Sequence, residues 1–255
     1  PLVDVGGDIR QILAVFRRDP TGLDPAAQGK PPLHFLHLLI PHRPWSYYPS
    51  GVMYTSGEGS RVPGMDQADV YWLENQALAD QAQQRYLMQV ALADLWLGQI
   101  VEKLKKSGQF AEALLVVVSD HGASFIAGDA SRKLTQNIYP SVLPVPLFIK
   151  APHQSSGRAQ EGNVEITDIL PTIAAMLDIE LTEPVDGRPI ESAAVQQRAT
   201  KRMYDFFSRW ENKPQDTSAE LAGRQASIDE DVALFCGGAK GRGGHSSVDN
   251  KMFGK

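Results

Sequence analysis

A single cysteine, Cys236, stands in 255 residues, so no intrachain disulfide can form and cysteine usage does not reveal the redox compartment. No uninterrupted apolar run approaches the ~18–20 residues needed to cross a bilayer as a helix. Positive charge is not in excess. The 25 Lys and Arg against 30 Asp and Glu leave a formal charge of −5, which gives no basis for a nucleic-acid partner. No internal repeat and no signal peptide are visible. The sequence opens on Pro1 and not on Met, so a piece cut from a longer protein is expected. What is present is ordinary for a globular chain, with 42% hydrophobic and 22% charged residues. Its length suffices for a sizeable core, as one large α/β domain or two small ones.

Leu114-Leu115-Val116-Val117-Val118-Ser119-Asp120-His121-Gly122 carries the strongest chemical signal. Its apolar, mostly β-branched run reads as a strand buried on both faces, as inside a parallel sheet. In open α/β sheets ligands sit beyond the carboxyl ends of strands, which is where Asp120 and His121 arrive. Together they offer an oxygen and a nitrogen to one divalent ion or to two neighbouring ions. Gly122 allows a sharp turn or a close approach to a ligand. The alternative is a polar surface turn in which Asp120 caps and His121 has no role.

Around that stretch, helices and strands alternate. Residues 8–18 suit an amphipathic helix, and a Pro/Gly-rich connector follows to residue 32. Residues 33–40 read as a strand, closed by Pro41-His42-Arg43-Pro44-Trp45. The spacing of Tyr86, Val90, Ala93, Leu97, Ile100, Val101 and Leu104 predicts a helix over about 66–106. Residues 145–149 suit a short edge strand. Residues 163–179 suit a helix capped by Thr167 or Asp168, and residues 196–210 another helix. Residues 237–255, rich in Gly, Ser and Lys, read as a tail. The expected organisation is an N-terminal helix and connector (1–32), a core (33–210) and a flexible extension (211–255).

Several of these pieces occur in the order of a known family. Val117-Val118-Ser119-Asp120-His121-Gly122 resembles the second metal-ligand motif of the sulfatase branch of the alkaline phosphatase superfamily. The preceding helix, with Tyr86, Asp94 and Gly98 followed by Leu104 and Gly108, is similar to that family's approach to the motif. Residues 163–173 resemble its downstream valine–aspartate–proline–threonine helix, and Asp186-Gly187-Arg188-Pro189-Ile190 the segment after it. Residues 33–45 resemble the strand that brings a histidine toward the sulfate or phosphate group.

The resemblance implies an α/β fold: a largely parallel central sheet with helices on both faces, alkaline phosphatase/sulfatase-like and incomplete at its N-terminus. It implies hydrolysis or transfer of a sulfate or phosphate ester with a divalent metal (Mn, Mg, Ca or Zn). Asp120 and His121 would be metal ligands, and His42, Lys133 and Arg43 would contact the anionic substrate. The family's first metal carboxylates and its nucleophile are not recognisable here. Asp4 and Asp8 do not form the motif, and Cys236 lacks the Pro and Arg of the sulfatase modification site. No catalytic nucleophile is therefore nominated, and this chain alone is expected to be inactive.

Other residues carry weaker expectations. Lys150 is a distant candidate for the anion, and Trp45, Tyr47 and Tyr48 could line a pocket mouth or pack a Pro-rich loop. His34 and His37 read as packing or surface residues. The Pro41–Trp45 form resembles membrane-anchored bacterial relatives, which implies an extracytoplasmic site and a substrate such as a lipid headgroup or glycan. A sheet lacking neighbouring strands exposes its edge, so self-association is expected. The competing reading is a non-catalytic, sulfatase-like module that binds an anion without turning it over.

Overall fold

The computed structural model describes residues 2–5, 33–54, 61–133, 135–160, 162–203 and 213–216. The helix expected over 8–18, Cys236 and the 237–255 tail lie outside them, as does nearly all of the two expected terminal segments. Among the described residues, strands form three pairs. β1 (Leu2–Val5) runs parallel to β2 (Phe35–Leu38), while β3 (Leu115–Val118) runs antiparallel to β4 (Leu147–Lys150). β5 (Thr200–Met203) runs antiparallel to β6 (Lys213–Asp216). The helices are α1 (Gln76–Lys106), α2 (Tyr139–Val142), α3 (Ile169–Met176) and α4 (Ala193–Gln196).

The β3 strand is where expectation and structure differ most. Its register runs from Leu115↔Lys150 to Val118↔Leu147, antiparallel. Leu115 to Val117 are half-buried, while Val118 is 42% exposed and Phe148, on its partner strand, 64%. Each described strand has one described neighbour. The cover on both faces that a uniformly apolar parallel strand requires is not supplied by these residues.

Helix α1 holds the described core together. It starts at Gln76, ten residues after the expected position, because Asp66 builds a turn first. Its carboxylate accepts the N–H groups of Val70 (2.8 Å) and Tyr71 (3.2 Å), local bonds that compete with a helix. Asn75 then caps α1 by accepting the Leu78 N–H at 3.3 Å. At the other end Lys103, Lys105 and Lys106 face the negative pole of the macrodipole, and Gly108, at φ 76°, ends the helix.

The buried row of α1 is Ala79, Ala82, Gln89, Leu92, Trp96 and Ile100. Of the residues expected to face inward, Ile100 joins that row and Tyr86 packs at its edge. The row is rotated from the expected stripe because Gln89, a polar residue that a hydrophobicity pattern passes over, lies near its centre. Trp45, Val62, Met65 and Trp72 pack on Ala79 and Ala82, with Tyr86 and Phe125 beside them. Trp45 and Trp72 stack with ring centroids 6.4 Å apart. Leu92 and Trp96 carry Leu36, Leu38 and Ile40 of the β2 region. Trp45 is thus a core residue and not the wall of a pocket mouth.

The C-terminal portion is organised by one buried carboxylate. Glu165 caps the turn Ile166–Asp168, and Asp168 closes the capping box by accepting the Glu165 N–H at 2.8 Å. Fully buried, Asp168 also accepts the Arg188 N–H at 2.8 Å and a two-pronged contact from Arg198 at 2.6 and 3.0 Å. Burial pushes the Asp168 carboxyl up. Hydrogen bonds from Arg198 and from the Glu165 and Arg188 N–H groups outweigh it and hold the group below the usual carboxylate value. Gly187 lies so close to this turn that a Cβ there would stand 2.0 Å from the Thr167 carbonyl oxygen. In place of a helix from 196, α4 ends at Gln196, Arg198 turns back to Asp168, and β5 follows.

Candidate active site

The end of β3 is built by backbone packing. The Gly122 N–H donates to Val142 O of α2 at 2.8 Å, and a Cβ on Gly122 would stand 2.1 Å from Ser141 O. Glycine is needed here for proximity to α2 and not for a left-handed φ, which this residue does not have. The close approach expected of Gly122 is therefore to protein backbone.

Fixed in this way, the turn presents Asp120 and His121 together. The ring Nδ1 of His121 lies 2.7 Å from Gly122 O, an acceptor only, so Nδ1 carries a proton, and in the neutral ring the lone pair then belongs to Nε2. That Nε2 stands 3.7 Å from Oδ2 of Asp120, whose Oδ1 accepts the His121 N–H at 2.9 Å. Asp120 is 86% exposed at its side chain. A carboxylate oxygen and an imidazole nitrogen thus lie on one side of the turn, donor types that divalent ions accept. Two donors do not complete a coordination shell. Among the described residues no group of three or more His, Cys, Asp or Glu side chains is placed to hold a metal ion.

The second cluster grows from the loop after β2. Ile40–Pro41 and Arg43–Pro44 are cis peptides. Trp45 donates its indole N–H to Pro41 O at 3.0 Å, and Tyr54 donates its hydroxyl to Trp45 O. Gln89 of α1 spans the loop from within, accepting the Ser46 N–H at 2.9 Å and donating to His42 O at 3.1 Å. These bonds satisfy backbone groups that burial would otherwise strand, and they leave the His42 side chain exposed. Its Nδ1 lies 2.6 Å from Arg43 O.

Loop 123–133 brings the remaining charges. It is anchored by Trp72, whose indole N–H donates to Ser124 O at 2.7 Å, and by Gln76, which donates to Phe125 O and accepts from Ala127 N, both at 2.9 Å. Arg132 reaches His42, with Nη1 3.2 Å from Nε2. Arg43 is half-buried and donates to the Met65 sulfur at 3.1 Å. Burial, and then the charge of Arg132, hold its guanidinium below its ordinary value. Lys133 turns to Tyr71, donating to the phenol oxygen at 3.0 Å.

The structure therefore joins Asp120 to His121, and His42 to Arg132 and Arg43, with Lys133 next in sequence to Arg132. Two contributors escaped the sequence reading. In the sequence Arg132 sits beside Lys133 in the loop after Asp120-His121-Gly122 with no signal of its own, and Gln89 gives no apolar or catalytic signal; only a polar residue at the centre of a helix's buried row could have flagged it. Lys150, a weak candidate for the anion, is structural: it donates to the carbonyls of Phe110, Ala111 and Ala113. His153 pairs with Glu112 at 3.2 Å.

Comparison with known proteins places this geometry in context. The sulfatase family matches residues 21–179, more than half of the chain. A sulfatase of Formosa agariphila is 28% identical over 97 residues, which is 38% of this chain and 19% of that protein. Arylsulfatase K of Xenopus laevis is 26% identical over 102 residues, 40% of this chain and 19% of that one. The chain thus spans about a fifth of the length of these curated relatives. Among solved structures, phosphonate monoester hydrolase from Silicibacter pomeroyi aligns with a TM-score of 0.41 at 25% identity, covering 52% of this chain and 24% of that one.

Proposed function

The chain belongs to the sulfatase family, and on that premise we propose that it supplies the anion-receiving side of a metal-dependent hydrolase or transferase for sulfate or phosphate esters. The observation that carries this reading is His121. Its Nδ1–H is spent on Gly122 O, and its Nε2 stands on the same side as the Asp120 carboxylate, 3.7 Å from Oδ2. Asp120 and His121 would hold the divalent ion, which when bound supplies Lewis-acid charge to an ester oxygen or lowers the pKa of a hydroxyl.

The chain's own residues do the rest. His42, carried beyond β2 by a loop that Gln89 and Trp45 fix, meets the sulfuryl or phosphoryl group. Arg43 and Lys133 supply positive charge around it, where preorganised donors stabilise charge that grows on transferring oxygens. The two curated relatives described above are named sulfatases, which supports a sulfate ester. We extend the reading to an extracytoplasmic bacterial site and a lipid headgroup or glycan ester on the strength of the Pro41-His42-Arg43-Pro44-Trp45 resemblance. Among the described residues no helix is long and apolar enough to cross a membrane. The outward-facing Phe35 and Phe148, 54% and 64% exposed, support self-association of this chain.

Calorimetric titration with Mn, Mg, Ca and Zn tests the centre of this reading. The chain is expected to bind at least one of these ions, and Asp120→Ala/His121→Ala to bind none. Equal binding by the double variant refutes the assignment.

A further inference from the structure

Two contacts on His42 fix more than its position. Arg43 O, 2.6 Å from Nδ1, can only accept, so Nδ1 bears a proton. Arg132 Nη1, 3.2 Å from Nε2, can only donate, so Nε2 bears a lone pair. Held this way the imidazole is neutral and has no N–H to offer an anion. The guanidinium covering Nε2 does, and its planar fork suits two oxygens of a tetrahedral oxyanion.

We propose that Arg132 is a positioning residue for His42. It holds the imidazole in its Nδ1-protonated tautomer and passes to a non-bridging oxygen of an arriving anionic ester, which frees the Nε2 lone pair to accept a hydrogen bond from a hydroxyl or water beside that ester. The idea rests on the reading of His42 as the group that meets the anion, and adds to it the residue that sets when His42 is available. The energetic order favours the exchange, because a guanidinium bond to a neutral imidazole is weaker than one shared with an anion. Arg43 adds a second reason. Arg132 and Arg43 are close enough for their charges to repel, and an anion between them relieves that repulsion.

The test is nitrogen-15 NMR of the histidine rings and arginine side chains in the 255-residue chain, with inorganic phosphate as the probe. Before phosphate is added, His42 is expected to show a protonated Nδ1 and an unprotonated Nε2. On titration, Arg132 and His42 Nε2 are expected to shift with one shared Kd. Arg132→Met should mix the two tautomers and weaken phosphate binding by about tenfold or more. Arg132→Lys, which keeps a donor and a charge, should recover part of that loss.

The proposal is overturned if His42 carries its proton on Nε2, or if phosphate leaves Arg132 unmoved. It is overturned equally if Arg132→Met binds phosphate to within about twofold of the parent chain. If Arg132 only fastened the two loops, the Met variant would melt earlier while its phosphate affinity stayed the same. Phosphate binding through Arg132 in a chain that takes no metal would count against the proposed function alone. Metal binding with an indifferent Arg132 would count against this inference alone.

Discussion

Replacing Asp168 by Asn removes a charge while preserving shape. Each carboxylate oxygen takes two donors: Oδ1 the Arg188 N–H and one prong of Arg198, Oδ2 the Glu165 N–H and the other prong. Whichever way the amide turns, its NH2 faces two N–H donors, one of them cationic. Bonds to charged groups contribute about 1.5–3 kcal/mol, and a stranded buried donor costs about 1–3 kcal/mol. A loss of about 3–5 kcal/mol follows, the range seen when one partner of a buried ion pair is removed. Urea unfolding followed by circular dichroism measures it. The pH dependence has a definite sign. The folded-state value lies below the usual one, so the stabilisation is complete above the unfolded pKa of about 3.9 and disappears as pH falls through the folded value. Asp168→Asn should therefore flatten the acid limb of the stability curve. A loss under about 0.5 kcal/mol, or an acid limb unchanged from the parent, would refute the assignment of this carboxylate as the organiser of the 163–198 region.

Two further substitutions probe the site's supports. Gly122→Ala should destabilise by about 1–3 kcal/mol and weaken metal binding, because the added methyl meets Ser141 O at 2.1 Å and the turn must shift; unaltered calorimetry and melting would contradict this. Gln89→Leu strands the Ser46 N–H and the His42 carbonyl and should cost about 1–3 kcal/mol, with faster amide exchange at Ser46 as its specific signature. Unchanged exchange at Ser46 would show that the loop holds its shape without α1.

How much was legible in the sequence follows from the range of each interaction. Asp120-His121-Gly122 and Pro41–Trp45 could be read directly, since each motif is contiguous and sits at a strand end. The bulk of α1 was legible from its periodicity, but its start was not, because Asp66 sets up competing local bonds that a pattern of apolar residues does not register. Arg132 and His42 lie 90 positions apart, and Gln89 stands 47 from His42, so nothing local announces either contact. Strand direction was hidden for a related reason. The composition of residues 115–118 reports how apolar the surroundings are, whereas antiparallel pairing with β4 is decided by the path of the intervening chain.

Helix α1 also bears on the order in which the molecule assembles. Its interactions are largely local, and helices of this kind form within about a microsecond. Two glutamines then stand ready on one rod, Gln89 for a loop 43 residues upstream and Gln76 for one 49 residues downstream. The entropic cost of closing those two spans differs by only about 0.1 kcal/mol. Neither loop is favoured to arrive first, and the meeting of His42 with Arg132 waits for both. The contact between His42 and Arg132 is thus a late product of a scaffold that forms early.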